Sequence, residues 1–413
     1  MGRFDKGVHM QIKVHRGTHQ IGGCITEIKT AVARIIIDMG SELPRADKSE
    51  SPPLNIEGVT KGKQDCDAVF ITHYHGDHVG MFEAVLSGIP IYIGATAKQI
   101  YTVVQRTLKR KLDKGNPELV AGFETLEAGK PIIIKNIKIT PYTVDHSAFD
   151  AYMLLIEADG KRILHTGDFR MHGARGRKMP AVFEKYAKDI DVLITEGTML
   201  SRPNEKVLTE HELGRKAAEL LRDNKNVFVL CSSTNIDTIA EFYSAAIANK
   251  KPFIVCESEF QLEILRIVTE NSTSPFYNFS KQKIFTYGEN LHDLMGKVGF
   301  CFIGRANYIT QKALGAFPDN LLIYSMWSGY LDKKHAAFDE YKCRFIDKAT
   351  AAGSQLMQLH TSGHATTEDI KKVCEITQAK TVVPIHCERP ENFRLLGINA
   401  DIILLQDGES ITV

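Results

Sequence analysis

The stretch "DAVFITHYHGDHVG" constrains this chain more than any other. An apolar run, Ala68 to Ile71, leads into His73, His75, Asp77 and His78, four metal-binding side chains within six positions. Residues two apart on an extended segment point the same way, so His73 and His75 can reach one ion together. Gly76 allows a tight turn that aims Asp77 and His78 at a neighbouring point. Imidazole with carboxylate and no thiolate suits zinc, with manganese or iron as alternatives. One such cluster is not a complete site, so further ligands are expected at other strand ends.

Three short stretches offer them. "ITPYTVDHSAFDAY" presents His146 just after a strand pattern, "RILHTGDFRMHG" presents Asp168, and "TVVPIHCERP" presents His386. The surrounding text reads as strands: "QIKVHRG", "GCITEIKT" and "ARIIIDMG" near the start, then "DAVFIT", "PIYIG" and "DVLITEG". Asp159-Gly160 inside "LIEADGKRIL" predicts a hairpin. "HVGMFEAVLSG" and "TAKQIYTVVQRTLKRKL" are expected to be helical. Beyond about Arg202 strands alternate with helices, as in "TEHELGRKAAELLRDN" followed by "NVFVLCSS", which predicts a parallel α/β unit. Short strands return after about Ala352. The pattern is a β-rich domain interrupted by an α/β insert and then completed.

At 413 residues the chain exceeds one ordinary core, so two or three domains are expected. Its 51 basic residues face 50 acidic ones, which excludes a global polycation; a polyanion would have to bind through a local patch or through metal. No apolar run of about 18 residues occurs, and "MGRFDKGVHMQIKVHRG" lacks the apolar segment of a secretory signal. The eight cysteines are scattered without CxxC spacing, as suits buried free thiols. These features predict a cytoplasmic protein that neither spans a membrane nor is secreted.

The order of these motifs resembles the metallo-β-lactamase fold superfamily, whose HxHxDH motif is matched by "HYHGDH". More narrowly, the chain resembles the β-CASP branch, which includes ribonuclease J and the cleavage-and-polyadenylation endonucleases. Three further features carry that likeness: Glu196 in "ITEGTMLSR", His364 in "HTSGHA" and His386 in "PIHCE". In addition, 218 positions separate Asp168 from His386, room for the α/β insert.

The resemblance implies an α/β chain, an αββα metallo-β-lactamase sandwich with an inserted α/β β-CASP domain. The sandwich would take residues 1–205 and 346–413, and the insert residues 206–345. It implies two zinc ions per chain, or manganese, with His73, His75 and His146 on one, Asp77, His78 and His386 on the other, and Asp168 bridging. Asp38, ending "ARIIIDMG", would orient the ligand loop; His364 would donate a proton or clamp an oxyanion; Glu196 would fix a metal-binding histidine or His364. Ser362 and Gly363 would offer donors to a phosphate. Ser232, Ser233 and Asn235 in "CSSTNIDTIAEFY" sit where a helix N-terminus makes an anion site or a plain cap. Trp327 and Tyr330 in "MWSGYLD" suit base stacking or core packing. Arg170, Arg175 and Arg177 after Asp168, and the run "QRTLKRKLDKG", are candidate phosphate contacts. His19 and His172 stand outside the ligand set.

The implied activity is metal-dependent hydrolysis of single-stranded nucleic acid by a metal-activated hydroxide, with RNA as the first substrate and cutting either internal or from the 5′ end. The alternatives are DNA, a small ester or phosphodiester, or a non-catalytic metal-binding subunit. A homodimer fits the family as well. Ribonuclease J usually continues into a further domain, whereas this sequence ends at Val413, so a compact β-CASP hydrolase is the expectation.

Overall fold

In the computed structural model, residues 10–43, 54–202, 205–256, 258–335 and 337–413 are described. Alternation along the first strand sets the architecture. In Gln11–Arg16 the odd-numbered side chains are half-buried while Ile12 and Val14 face inward, the period-two pattern of a one-sided core strand. Two seven-stranded sheets use such strands to bury a shared interior. In order across the first sheet lie Ser410–Thr412, Gln11–Arg16, Ile25–Lys29, Arg34–Ile37, Ala68–Phe70, Ile91–Gly94 and Glu124–Leu126. The second runs Asp401–Ile402, Thr381–Ile385, Val192–Glu196, Lys161–His165, Tyr152–Ala158, Ile137–Thr143 and Ile132–Ile134. Ile12, Val14, Ile35, Ile37 and Phe70 of the first meet Ile139, Leu154, Ile156, Ile163, Ile194 and Val383 of the second.

Helices cover the outer faces. Met179–Tyr186 and Thr367–Thr377 pack on the second sheet through Phe183, Ile370 and Val373. Ala95–Leu112 packs on the first through Ala97, Ile100 and Val103. The result is the expected αββα sandwich. The hairpin also forms where expected: Tyr152–Ala158 and Lys161–His165 pair antiparallel, with Asp159 and Gly160 both at positive φ, 50° and 73°.

Between Val192–Glu196 and Thr381–Ile385, neighbours in the second sheet, the chain builds a third sheet of six parallel strands. Its central strands, Asn226–Leu230 and Phe300–Gly304, are buried on both faces, as a parallel sheet flanked by helices requires. Helix Glu210–Asp223 begins with a capping box, Thr209 and Glu212 each satisfying the other's backbone N–H. The third sheet runs through Gln355–Gln358, which pairs with Leu321–Tyr324. The chain therefore leaves this sheet after residue 358, later than the expected boundary at 345/346.

One local expectation is corrected. "HVGMFEAVLSG" is not a helix but one turn, Gly76–Val79, followed by a 3₁₀ turn, Phe82–Ala84. Gly80 ends the first turn against Ser41, where a Cβ would come within 2.3 Å of the Ser41 hydroxyl. Among the described residues no helix is long and apolar enough to cross a membrane. All eight cysteines are free thiols, seven of them buried.

Candidate metal centre

Loops leaving the C-terminal ends of strands converge on one edge of the sandwich. After Ala68–Phe70 come His73, His75, Asp77 and His78; after Ile137–Thr143 comes His146; after Lys161–His165, Asp168; after Thr381–Ile385, His386. The structure brings all seven together.

His73, His75 and His146 offer ring nitrogens that all lie within 4.8 Å of one another. His146 Nδ1 donates to the Gly363 carbonyl at 2.7 Å, which leaves its Nε2 lone pair facing His75 Nδ1 at 3.3 Å. Burial, reinforced by neighbouring rings, holds His73 and His146 well below the usual histidine range and lowers His75 to about 4. All three are neutral, the form that binds a metal ion.

Asp77 Oδ2 lies 3.3 Å from His386 Nε2. One oxygen of Asp168, Oδ2, stands 3.1 Å from His78 Nε2, 3.6 Å from His386 Nε2 and 3.9 Å from His73 Nε2. A single buried carboxylate thus faces rings of both sets. Burial works against its ionisation, but His386, His78 and His364 hold it well below the usual carboxylate range.

The ring orientations are set from behind. Asp38 is fully buried; its carboxylate accepts from the Thr72 N–H at 2.7 Å, the Thr72 hydroxyl at 2.9 Å and His78 Nδ1 at 2.8 Å. His78 Nε2 is thereby turned inward. Thr198 Oγ1 meets His386 Nδ1 at 2.7 Å and does the same for that ring. Asp38 and His386 both adopt positive φ, 62° and 48°, a strain that accurate placement of a functional side chain justifies.

Two observations test the site against a metal. His73 Nε2 is buried without a hydrogen-bond partner, and His78 Nε2 has only the Asp168 carboxylate at 3.1 Å before it. An orphaned buried nitrogen is costly unless something else takes its lone pair. The donor set of neutral imidazoles and buried carboxylates is that of a divalent metal site. The residues fit such an ion.

Glu196 is buried, and its Oε2 accepts from His364 Nδ1 at 3.0 Å. Its Oε1 takes the Phe169 N–H at 2.9 Å, tying His364 to the loop that carries Asp168. His364 is 24% exposed and 3.6 Å from Asp168 Oδ2; burial lowers its pKa, but Glu196 and Asp168 outweigh that and raise it above the usual value. Ser362 and Gly363 are used differently from the phosphate donors expected. The Ser362 hydroxyl accepts from the His364 N–H at 3.1 Å, and its carbonyl takes Arg170 and His172. Gly363 lets the turn approach closely, since a Cβ there would meet Ser147 Oγ at 2.6 Å.

Among the other candidates, Asn235 caps helix Ile236–Ala248 by accepting from the Thr238 N–H. The Ser232 hydroxyl pairs with Thr234, and the buried Ser233 hydroxyl has no partner. Thr234 lines a cavity of about 390 Å³ that also touches Tyr74, His75 and Gly76, so this turn opens towards the metal residues. Trp327 is half-buried with the Arg202 guanidinium 3.7 Å above its ring and Tyr330 edge-on, and it lines a second cavity of about 430 Å³.

Arg170 is not a phosphate contact. It is wholly buried and pairs with Asp237 at 2.7 Å, Glu210 at 3.0 Å and Asp145 at 3.3 Å. Arg175 lies over the Phe149 and Tyr277 rings, and Arg177 is exposed. In the basic run, Arg106, Lys109 and Arg110 pair with Glu263, Glu118 and Glu259, so much of its charge is already matched. His172 bonds Ser362 and faces Asp369, while His19 is exposed beside Thr18. Gly76 needs no special backbone either: it opens the one-turn helix, and a Cβ there would meet nothing. Sequence reasoning missed Thr72, Thr198 and Cys24, the last with its Sγ within 4.8 Å of the His78 and His386 nitrogens.

The sequence profile of the beta-lactamase superfamily domain matches residues 33–229. The chain is 22% identical over 427 residues to "Ribonuclease J" of Mycoplasma genitalium, covering 95% of this chain and 72% of that one. It is 22% identical over 450 residues to "Ribonuclease J" of Helicobacter pylori strain 26695, with coverages of 96% and 60%. Over 233 residues it is 29% identical to an "RNase J-like protein" of Methanocaldococcus jannaschii, covering 53% of this chain and 50% of that one. The chain therefore spans between half and 72% of these relatives' lengths. A crystal structure of a protein of unknown function from Enterococcus faecalis V583 shares the fold, with a TM-score of 0.77 at 22% identity over 98% of this chain and 100% of that one. With the ligand loops gathered at one edge of an αββα sandwich, the match of residues 33–229 to the beta-lactamase superfamily domain and the similarity to ribonucleases J along most of the chain support its likeness to the ribonuclease J-like β-CASP branch of the metallo-β-lactamase superfamily.

Proposed function

We propose that this chain is a zinc-dependent phosphodiesterase that hydrolyses single-stranded RNA at a two-metal centre. The observation that carries the reading is Asp168, whose one carboxylate oxygen faces His73 on one side and His78 and His386 on the other. His73, His75 and His146 would hold one ion, and Asp77, His78 and His386 the second. Divalent metal bound there supplies Lewis acidity, making water a nucleophile at neutral pH and drawing charge from a phosphoryl oxygen.

The chain's own residues do the rest. Asp38, Thr72 and Thr198 keep the ring nitrogens aimed inward. His364, with Nδ1 held by Glu196, is placed to give a proton from Nε2 to the leaving alkoxide. The turn after the third sheet's strand Asn226–Leu230 meets the ligand loop, with the Tyr74 hydroxyl donating to the Thr234 carbonyl at 3.3 Å. Thr234, in the turn that also carries Ser232, Ser233 and Asn235, lines the cavity beside His75, and an anionic group of the substrate would sit against this turn. RNA as substrate is supported by the names of the curated relatives.

The test is cleavage of matched 5′-labelled single-stranded RNA and DNA by metal-quantified protein, with Asp168→Ala and His364→Ala alongside. The expected result is RNA cleavage that Asp168→Ala abolishes together with bound metal, while His364→Ala slows turnover with metal retained. Cleavage of neither polymer by metal-loaded protein would overturn the nuclease reading. Cleavage of DNA alone would transfer it to the other sugar.

A further inference from the structure

We propose that Cys24 is a metal ligand, adding a thiolate to the position formed by Asp77, His78 and His386. The inference rests on the metal-centre reading above and deepens it. Cys24 Sγ and one ring nitrogen each of His78 and His386 lie within 4.8 Å of one another, and all three residues are buried. Asp38 occupies His78 Nδ1, which leaves Nε2 facing inward, where Asp168 Oδ2 stands 3.1 Å away. His386 is held likewise at Nδ1 by Thr198, while its Nε2 meets Asp77 Oδ2 at 3.3 Å. A thiol and a ring nitrogen from each of two histidines therefore share one buried cluster.

The backbone around Cys24 is built for that placement. Its N–H donates to the Asp77 carbonyl at 3.1 Å and its carbonyl accepts from the Gly40 N–H at 3.1 Å, locking it to the ligand loop itself. Two glycines make room: a Cβ on Gly17 would come 3.1 Å from Cys24 Sγ, and one on Gly40 would come 2.8 Å from the Cys24 nitrogen. A buried cysteine is ordinarily an inert apolar residue. Cys66, for instance, points its sulfur at the Arg34 and Ala68 carbonyls. Among the described residues, Cys24 is the cysteine whose sulfur joins a cluster of metal-ligating groups.

The step is a proton exchange without redox change. The S–H bond breaks, a sulfur–metal bond forms, and the proton leaves to solvent. A thiolate is a soft donor that favours zinc or cobalt over manganese, so this chain's second position would discriminate against manganese more than an all-nitrogen-and-oxygen site would.

The full chain is loaded with cobalt(II) as probe, the bound cobalt is counted, and the near-ultraviolet sulfur-to-cobalt charge-transfer band is recorded for wild type, Cys24→Ser and Cys24→Ala. The expected result is a band in wild type that both variants lack. Both should also bind the second zinc at least about 10-fold more weakly, and release about one proton fewer per chain on loading. Circular dichroism checks that the variants are folded, and the serine keeps the side chain's size. Cobalt bound to wild type with no such band, or a band that persists in both variants, would overturn the assignment of Cys24 while leaving the metal centre standing. Failure of wild type to bind any cobalt or zinc would overturn both.

Discussion

Asp38 shows how much of this site is decided behind the groups that would touch metal. Its carboxylate takes three donors at 2.7–2.9 Å, two from Thr72 and one from His78. Asp38→Asn keeps the shape and tolerates the positive φ, since asparagine visits that region readily. It replaces one acceptor oxygen by a donor, however, and so misorients either Thr72 or His78. A loss of about 10–100-fold in metal affinity is expected, with the fold intact by circular dichroism. Unchanged affinity in a competition titration against a chelator would mean that His78 is held by other means. By contrast, Gly76→Ala should leave metal content unchanged, because no atom lies within reach of the added methyl. The seven ligand candidates were legible in the sequence because histidine and aspartate at strand ends are chemically distinctive. Thr72, Thr198 and Cys24 were not. They are ordinary residue types, and Thr198 reaches His386 across 188 positions. Arg170 was misread for the same reason: its place beside Asp168 suggested substrate, whereas the three carboxylates that bury it are scattered at 145, 210 and 237.

Helices Glu210–Asp223 and Ile236–Ala248 form a clasp on the segment that carries Asp168. Arg170 Nη1 donates to Glu210 and to the Ser362 carbonyl, and Nη2 to Asp237; Asp237 also takes the Tyr277 hydroxyl at 2.5 Å and the Ala174 N–H. Burial would lower the Arg170 pKa, but Glu210, Asp145 and Asp237 keep it charged. Arg170→Met should therefore cost about 3–5 kcal/mol, because it leaves buried carboxylates uncompensated, and equilibrium denaturation would measure it. The same helices carry an excess of acid. Burial, with Glu210 and Asp237 nearby, pushes Glu241 up to about 8. It sits over Gly214, where a Cβ would meet its carboxylate, so the two helices approach closely there. A carboxyl whose folded pKa is raised keeps its proton when the unfolded chain has lost it, so stability falls as pH rises from about 4.3 towards the folded value. Glu241→Gln lacks that loss, and its melting temperature should gain on wild type steadily between about pH 5 and about pH 9. A constant difference across that range would mean the side chain is solvated. The amphipathic pattern foretold the first of these helices; which acids it would press together depends on tertiary packing that no local pattern encodes.

The sandwich as a whole was legible because β-rich text, then strand–helix alternation, then β-rich text again is a pattern of interruption. The strand order was not. Ser410–Thr412 joins Gln11–Arg16 at the edge of the first sheet, a pairing across nearly the full chain that composition cannot announce. That arrangement has a consequence for stability. His73, His75, Asp77 and His78 follow a strand of the first sheet, whereas His146, Asp168 and His386 follow strands of the second. On the proposed ligand sets, each metal position would draw ligands from both sheets and cross-link them at one edge. The apolar interior between the sheets does not depend on the ions, since Ile37 and Phe70 meet Ile194 and Ile385 within it. Stripping the metal with a chelator should lower the melting temperature while far-ultraviolet circular dichroism at room temperature stays close to that of loaded protein. Re-adding zinc at about 100-fold above its dissociation constant should restore about 2.7 kcal/mol, the linkage expected for one site that binds only the folded state. Asp168→Ala should show a smaller chelator effect than wild type, because it loses the one carboxylate that faces both groups. A melting temperature unmoved by verified metal removal would mean that the sheets hold the ligands in place unaided and that the ions serve the chemistry alone.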